Sequence, residues 1–293
     1  VVTEVDPVNR VLVLPPGTEV VFLALHGAYG EDGTVQAQIE ALGIPYTGCG
    51  VEASRAAFDK ALTKQCLVAA GVPTPPYAVV DSAEADWPGA VRPPAVLKPV
   101  CQGSSVGLHF IESPDQWRDA LRECLRHDAR ALLERRVEGR ECTVGILGGQ
   151  VLPVVEVRPR SGVYDYQSKY TVGATEYECP AAFAPEVMAA VQAAGRAAFA
   201  AVGGGAYGRV DVMVDREGLP QVLEVNTLPG MTETSLFPKA AAAAGWGYAA
   251  LCERMVELAL ARRCGDRSPA APEKGHEAKP ATTSSPCGLG KRN

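Results

Sequence analysis

Two runs, "GRVDVMVD" (208–215) and "LPQVLEVN" (219–226), are separated only by "REG", and they constrain this chain more than any other feature. Valines alternating with charged residues have the period-2 pattern of strands with one buried face. A short polar link ending in glycine suits a hairpin between them. Glu224 and Asn226 lie two apart, so their side chains leave one face of a strand. Asp211 on the preceding strand comes within cross-strand reach, and Arg209 projects from the same face. Grouping three oxygen-bearing side chains is costly unless something positive joins them. Hard oxygen ligands suit Mg²⁺, a cation normally used together with phosphates. A solvated outer face carrying a strand-pair salt bridge fits the same spacing.

A second set is cationic. Lys98 ends the apolar run "AVL" and precedes the small-residue loop "CQGSSVG" (101–107). A lysine entering such a loop places a point charge beside free backbone N–H groups, which is an arrangement that cradles phosphate. An ordinary strand-end lysine is the plainer reading. Lys60 lies in a helical segment, while Lys169 and Tyr170 lie in a tyrosine-rich polar stretch that reads as a lid. His26 stands before the glycine-broken loop "GAYGEDG" with no Ser or Cys nucleophile nearby, so it reads as a loop-positioning residue. The string "GCGVEA" fits a dinucleotide fingerprint but lacks the flanking strand and acidic partner, and no G-x-x-x-x-G-K-[ST] occurs.

The rest of the chain reads as alternating elements. "VVFLALH" (20–26) is expected to be a buried strand, followed by a helix around "TVQAQIEALG" that Gly43 ends, and by one helical stretch from about 51 to 70. Strands are expected at "YAVV", "AVLKPV", "ALLERRV", "ECTVGILGG" and "VLPVVEVRP", and helices over 115–127, 184–202 and 246–262. Strand, helix, strand, helix is α/β grammar. Residues 161–180 and "TLPGMTETSL" read as functional loops. From Cys264 the chain is Pro, Ser, Thr, Gly and Lys without pattern, which predicts a disordered tail.

At 293 residues the chain has length for about two domains. A net charge of -6 argues against a generally basic nucleic-acid binder. Nine scattered cysteines without a CxxC pair read as buried small hydrophobes. No apolar run approaches the ~20 residues of a membrane helix, and no basic-then-apolar leader is present, so a cytoplasmic location is expected.

The ordered set "LHGAYGEDGTVQ", "PYTGCG", "DKALTK", "LKPVCQGSSVG", "YDYQSKY", "GRVDVMVD" and "LEVNTLPGMTETSL" closely resembles the D-alanine–D-alanine ligases of the ATP-grasp superfamily. The resemblance implies α+β lobes with ATP held between them, preceded by a Rossmann-like domain. It implies boundaries at 1–59, 60–138 and 139–263, with 264–293 as tail. It also implies transfer of the γ-phosphate to one D-alanine and attack by the amine of a second. Lys60 and Lys98 would then meet the ATP phosphates, and Lys169 the transferred group. Glu134, Arg135 and Val137 align with the adenine hinge, and Glu141 with the ribose contact. Asp211, Glu224 and Asn226 align with ligands of two Mg²⁺ or Mn²⁺ ions. Arg209 and the Gly230 backbone align with the oxyanion stabiliser, Ser104 and Tyr170 with the pair that closes the lid. Ser235 and Leu236 align with the contact to the second substrate's carboxylate, and His26 falls among the substrate-binding positions. A homodimer and a role in making peptidoglycan precursor are implied as well.

Two departures stand out. Arg135 occupies a place where many members have lysine. The strand and "GG-x-S-x-E" loop that open the family's first domain do not precede "TEVD", so the first lobe is expected to be incomplete, with an unpaired edge. The tyrosine at 170 favours the dipeptide over a D-alanine–D-lactate ester. Another carboxylate–amine ligation, and nucleotide binding without turnover, remain the alternatives.

Overall fold

The computed structural model describes residues 1–3, 5, 9–159 and 175–262. Lys169 and Tyr170, expected to lie in a lid, and the expected tail from 264 fall outside the described residues. The first elements are helices α1 (Thr34–Ala41), α2 (Val51–Phe58) and α3 (Lys60–Ala69). The single helix expected over 51–70 is broken at Asp59, whose backbone is extended and whose carboxylate accepts the Leu62 N–H. That cap starts α3 afresh with Lys60 as its first residue.

A four-stranded sheet follows, with strands β1 (Tyr77–Val80), β2 (Ala95–Pro99), β3 (His109–Ile111) and β4 (Ala131–Arg135) in the order β1-β4-β2-β3. Helix α4 (Trp117–Cys124) covers its outer face with Trp117, Leu121 and Cys124. The second sheet contains β5 (Gly139–Leu147), β6 (Gln150–Val151), β7 (Val155–Pro159), β8 (Thr175–Glu178), β9 (Tyr207–Asp215) and β10 (Pro220–Asn226). Its order is β10-β9-β5-β7-β8, with β6 on β5. Helix α5 (Pro185–Ala201) packs on one face of it, while α6 (Leu236–Ala243) and α7 (Tyr248–Ala261) join a second core with β5 and β7. Gly195 lets α5 close on the sheet, because a Cβ there would meet Val144 at 2.7 Å.

Helices and sheets are mixed as expected, and both described sheets are antiparallel, as in α+β lobes. The expected strand over 20–26 forms only an isolated parallel bridge, Val21 to Tyr46. The Val21 N–H and carbonyl pair with Pro45 and Thr47, and Leu23 N–H with the Thr47 hydroxyl. An apolar run becomes a strand only where a ladder continues, and here it stops after one step. β8 lies within the stretch read as loop, and α6 begins directly after "TETS". Seven cysteines are described, all free thiols, with Cys49, Cys124 and Cys142 buried.

The β9–β10 hairpin has the expected two faces. Val210, Val212, Val214, Val222 and Val225 enter the core under α5. A bulge between Val222 and Glu224 shifts the register, so Glu224 sits opposite Asp211 and Asn226 opposite Arg209. In an unbroken strand Glu224 would share the core face with Val222, two residues before it. The extra residue reverses the phase and turns Glu224 toward the other sheet.

Candidate active site

A cleft of about 390 Å³ runs between the two sheets. Nine of the expected residues line it: Lys60, Lys98, Ser104, Glu134, Arg135, Val137, Glu141, Asp211 and Glu224. The apolar part of the lining is Val96, Leu108, Phe110, Val137, Met213 and Leu223, side chains suited to a flat aromatic base. Lys60, Lys98, Asp211 and Glu224 are among the charged part. Ser104 and Ser105 sit in the loop between β2 and β3 with φ of 53° and 59°, a conformation that non-glycine residues adopt mostly where surroundings enforce it.

The central sheet contributes a buried ion cluster. Glu134 on β4 receives Lys98 Nζ at 2.6 Å on one oxygen and faces Lys64 Nζ at 2.9 Å with the other. Glu134 is 3% exposed, Lys98 8% and Lys64 0%. Burial opposes the Glu134 carboxylate, yet the two ammonium groups hold its pKa below the ordinary value. Burial also opposes the Lys98 charge, but Glu134, Glu224 and Asp211 outweigh it and raise the pKa. Lys60, at the first turn of α3, donates to the Gln102 carbonyl and lies 3.9 Å from Glu224. Burial pulls its pKa down. A buried cation at a helix N-terminus is doubly disfavoured, which argues that the place is built to receive an anion. The Glu134 side chain is engaged by the two lysines, while the residue still lines the cleft.

The C-terminal sheet contributes the acids. Arg209 grips Asp211 through two parallel hydrogen bonds of 2.8 and 2.9 Å. This ion pair lies within β9 rather than across the strand pair, on a face only about one-sixth exposed at these side chains (16% and 14%), not on a solvated outer face. The Asn226 Oδ1 accepts the Leu228 N–H at 3.1 Å, which fixes the amide at the strand end. Among the described residues no three His, Cys, Asp or Glu side chains converge as a metal cluster. The donor set is therefore two carboxylates and one amide. It fits a hard divalent cation that completes its shell with water and phosphate oxygens.

His26, Gly230 and Ser235 form a neighbouring group outside the cleft lining: a Cβ on Gly230 would lie 2.8 Å from Ser235 Oγ and 4.0 Å from His26 Cε1. Ser235 precedes the first turn of α6 and bonds to the Thr232 N–H and hydroxyl. The Leu236 side chain is buried, leaving its backbone at the helix start, where N–H groups favour a carboxylate.

Sequence reasoning missed two charged residues. Lys64, four residues beyond Lys60 on α3, reads as an ordinary helical lysine but is fully buried. Glu31, in "GAYGEDG", accepts the Gly27 N–H at 2.6 Å and reaches the loop at Gly103. Burial pushes its carboxyl up to about 7, against the pull of the Gly27 N–H, Arg209 and Lys60, and Glu224 adds to the rise. An acid flanked by glycines was the available signal.

Two antiparallel sheets closing over a cation-lined cleft define an ATP-grasp fold. The family models agree: residues 4–49 match "D-ala D-ala ligase N-terminus" and residues 66–257 match "D-ala D-ala ligase C-terminus". The chain is 42% identical to the D-alanine–D-alanine ligase of Methylacidiphilum infernorum, over 89% of this chain and 85% of that protein. It is 45% identical to that of Syntrophotalea carbinolica, over 84% and 81%. The fold is similar to the crystal structure of D-alanine–D-alanine ligase from Bacillus anthracis, with TM-score 0.75, 36% identity, and 85% and 82% of the two chains covered. A structure of the same enzyme complexed with ATP matches with TM-score 0.73 and 34% identity, over 84% and 80%. The chain belongs to the D-alanine–D-alanine ligase family.

Proposed function

We propose that this protein joins two D-alanines into D-alanyl-D-alanine at the expense of ATP, supplying peptidoglycan precursor. The observation that carries the reading is the opposition, across one cleft, of Lys60 and Lys98 with Asp211 and Glu224. Family membership supports both substrates. Lys60 and Lys98 bind the phosphates, the apolar lining and the 134–137 backbone hold adenine with Arg135 and Val137, and Glu141 meets ribose. Asp211, Glu224 and Asn226 would hold two Mg²⁺ or Mn²⁺ ions, which neutralise charge on the transferring phosphoryl group.

The γ-phosphoryl group passes to a carboxylate oxygen of the first D-alanine, the bond to the β-phosphate oxygen breaks, and ADP leaves. The second D-alanine is held by its carboxylate at Ser235 and the Leu236 N–H, with His26 beside it. Its amine attacks the acylphosphate carbonyl, loses a proton, and expels inorganic phosphate. Arg209 and the Gly230 N–H stabilise the oxyanion between these steps. Ser104, with Lys169 and Tyr170, closes the site against water, since an acylphosphate is prone to hydrolysis. On the same reading the lobes divide at 1–59, 60–138 and 139–263, and the enzyme is a cytoplasmic homodimer. Among the described residues no helix is long and apolar enough to cross a membrane.

Purified protein given ATP, Mg²⁺ and D-alanine should release ADP, phosphate and dipeptide in equal amounts. ADP binding without dipeptide would point to a non-catalytic nucleotide binder. Predominant ester in a D-lactate competition would overturn the choice of acceptor.

A further inference from the structure

Lys64 is a lysine no catalytic step uses, yet it is completely buried where both halves of the cleft meet. Its Nζ faces three oxygens: Glu134 Oε2 at 2.9 Å, Thr74 Oγ1 at 2.6 Å and the Val222 carbonyl at 3.2 Å. Thr74 donates its own hydrogen to the Val222 carbonyl at 2.7 Å, so toward Lys64 it acts as an acceptor. Three acceptors around one nitrogen fit an ammonium with three hydrogens; a neutral amine would turn its lone pair on one of them.

Two consequences follow from that placement. Lys98 and Glu134 alone would cancel, leaving the cleft no net charge at Lys98 for a phosphate. The second Glu134 oxygen, Oε2, is balanced by the Lys64 ammonium at 2.9 Å. The trio therefore carries a net positive charge; Lys98 and Glu134 line the cleft, with Lys64 behind them. The second consequence concerns the bulge. The Val222 carbonyl, bonded by Lys64 and Thr74, begins the register shift that turns Glu224 toward Asp211, and the Val222 N–H is tied to the Pro73 carbonyl.

We propose that Lys64 is a positioning residue that keeps the Lys98 charge available to nucleotide phosphate and holds the β10 bulge that aims Glu224. The role rests on the nucleotide reading of the cleft. A buried lysine that merely stabilised the fold would give the same loss of stability but no link to Glu134 in binding.

The test is ADP titration by calorimetry, in EDTA and with Mn²⁺, on wild type, K64M, the double variant K64M/E134Q, and T74V. In K64M, Glu134 takes Lys98 wholly, and ADP affinity in EDTA should fall about tenfold, the worth of one charge-assisted contact. Removing the carboxylate as well frees Lys98, so K64M/E134Q should regain most of that affinity. In turnover, K64M should raise KM for ATP more than KM for D-alanine. T74V leaves every charge in place and loosens the bulge, so it should weaken Mn²⁺ binding to the ADP complex several-fold while ADP binding in EDTA stays within twofold.

A K64M protein that binds ADP like wild type, or a double variant weaker than K64M, overturns the charge role. Should K64M not fold, T74V decides: unchanged Mn²⁺ affinity overturns the proposal. Wild type that binds no ADP overturns the nucleotide reading itself, and this role with it. Binding by wild type that K64M retains overturns only the role of Lys64.

Discussion

The two sheets facing each other across the cleft treat their charges in opposite ways. The central sheet locks its carboxylate, Glu134, between two lysines out of water. The C-terminal sheet leaves its carboxylate, Asp211, in a bidentate grip with Arg209 that an arriving ligand can open. A closed cluster fixes geometry; an openable pair keeps two opposite charges within reach of a ligand, and on the proposed function one would serve a cation and the other an oxyanion. The difference teaches that the same ingredient, a lysine or arginine against an acid, can be locked in place on one wall and left open to exchange on the other.

The sharpest way to break this contrast is Glu134→Ala. It leaves two buried ammonium groups facing each other without their counter-charge, and should cost about 3–5 kcal/mol in urea denaturation at neutral pH. The folded carboxyl is held below its ordinary range. Its stabilisation is therefore complete at neutral pH and is lost as pH falls through the depressed value. A loss below about 1 kcal/mol, the range of solvated pairs, would show that the cluster is not closed at all.

Arg209→Met probes the other wall. Loss of an oxyanion donor should lower kcat about 10²–10³-fold, while ADP binding persists because Lys60 and Lys98 are untouched. The variant should be less stable in EDTA, where Asp211 lacks its partner, and should regain stability when Mg²⁺ is added. If stability is equally low with and without Mg²⁺, Asp211 is not a ligand.

What was legible in the sequence follows the same division. The openable wall announced itself, because period-2 alternation places Arg209 and Asp211 on one face without any knowledge of partners. The bulge was written there too: valines at 222 and 225 are three apart, a spacing no regular strand puts on one face. The closed wall was not legible. Lys64 and Glu134 are far apart in sequence, and only the packing of α3 on β4 and β10 shows that a helical lysine has no water. Helix α6 was not among the expected helices; it carries Pro238 within its first turn, where proline is tolerated. The 20–26 run was rightly apolar and wrongly a strand, since a ladder depends on neighbours a local pattern does not contain.

Glu31 lies between the two walls and sharpens the contrast by pH. Its folded carboxyl titrates at about 7 against a model-compound value of 4.5. The native state therefore binds more protons than the unfolded chain between those values, and folding loses stability as pH rises through that window. Glu31→Gln keeps the acceptor for the Gly27 N–H and removes the charge. In EDTA it should be more stable than wild type by about 1–3 kcal/mol at pH 8, with the advantage gone near pH 4. An advantage independent of pH would mean that Glu31 does not titrate in this range.

The smallest effect is expected at Asp59, where scaffold and machinery share one residue. Its Oδ1 accepts the Leu62 N–H at 2.9 Å, and its Oδ2 pairs with Arg130 at 2.6 Å in a part-exposed setting. Asp59→Ala removes a helix cap and should cost about 1 kcal/mol, with little added for the exposed ion pair. Asp59→Asn keeps the capping oxygen and should recover most of that loss. The cap also decides where α3 begins, and so where Lys60 sits against the Gln102 carbonyl. If that start is set by the cap, the alanine variant should raise KM for ATP a few-fold while the asparagine variant does not. If both variants bind ATP alike, the close packing around Lys60 and Lys64 places α3 without help from its cap, and the buried wall alone sets the phosphate site.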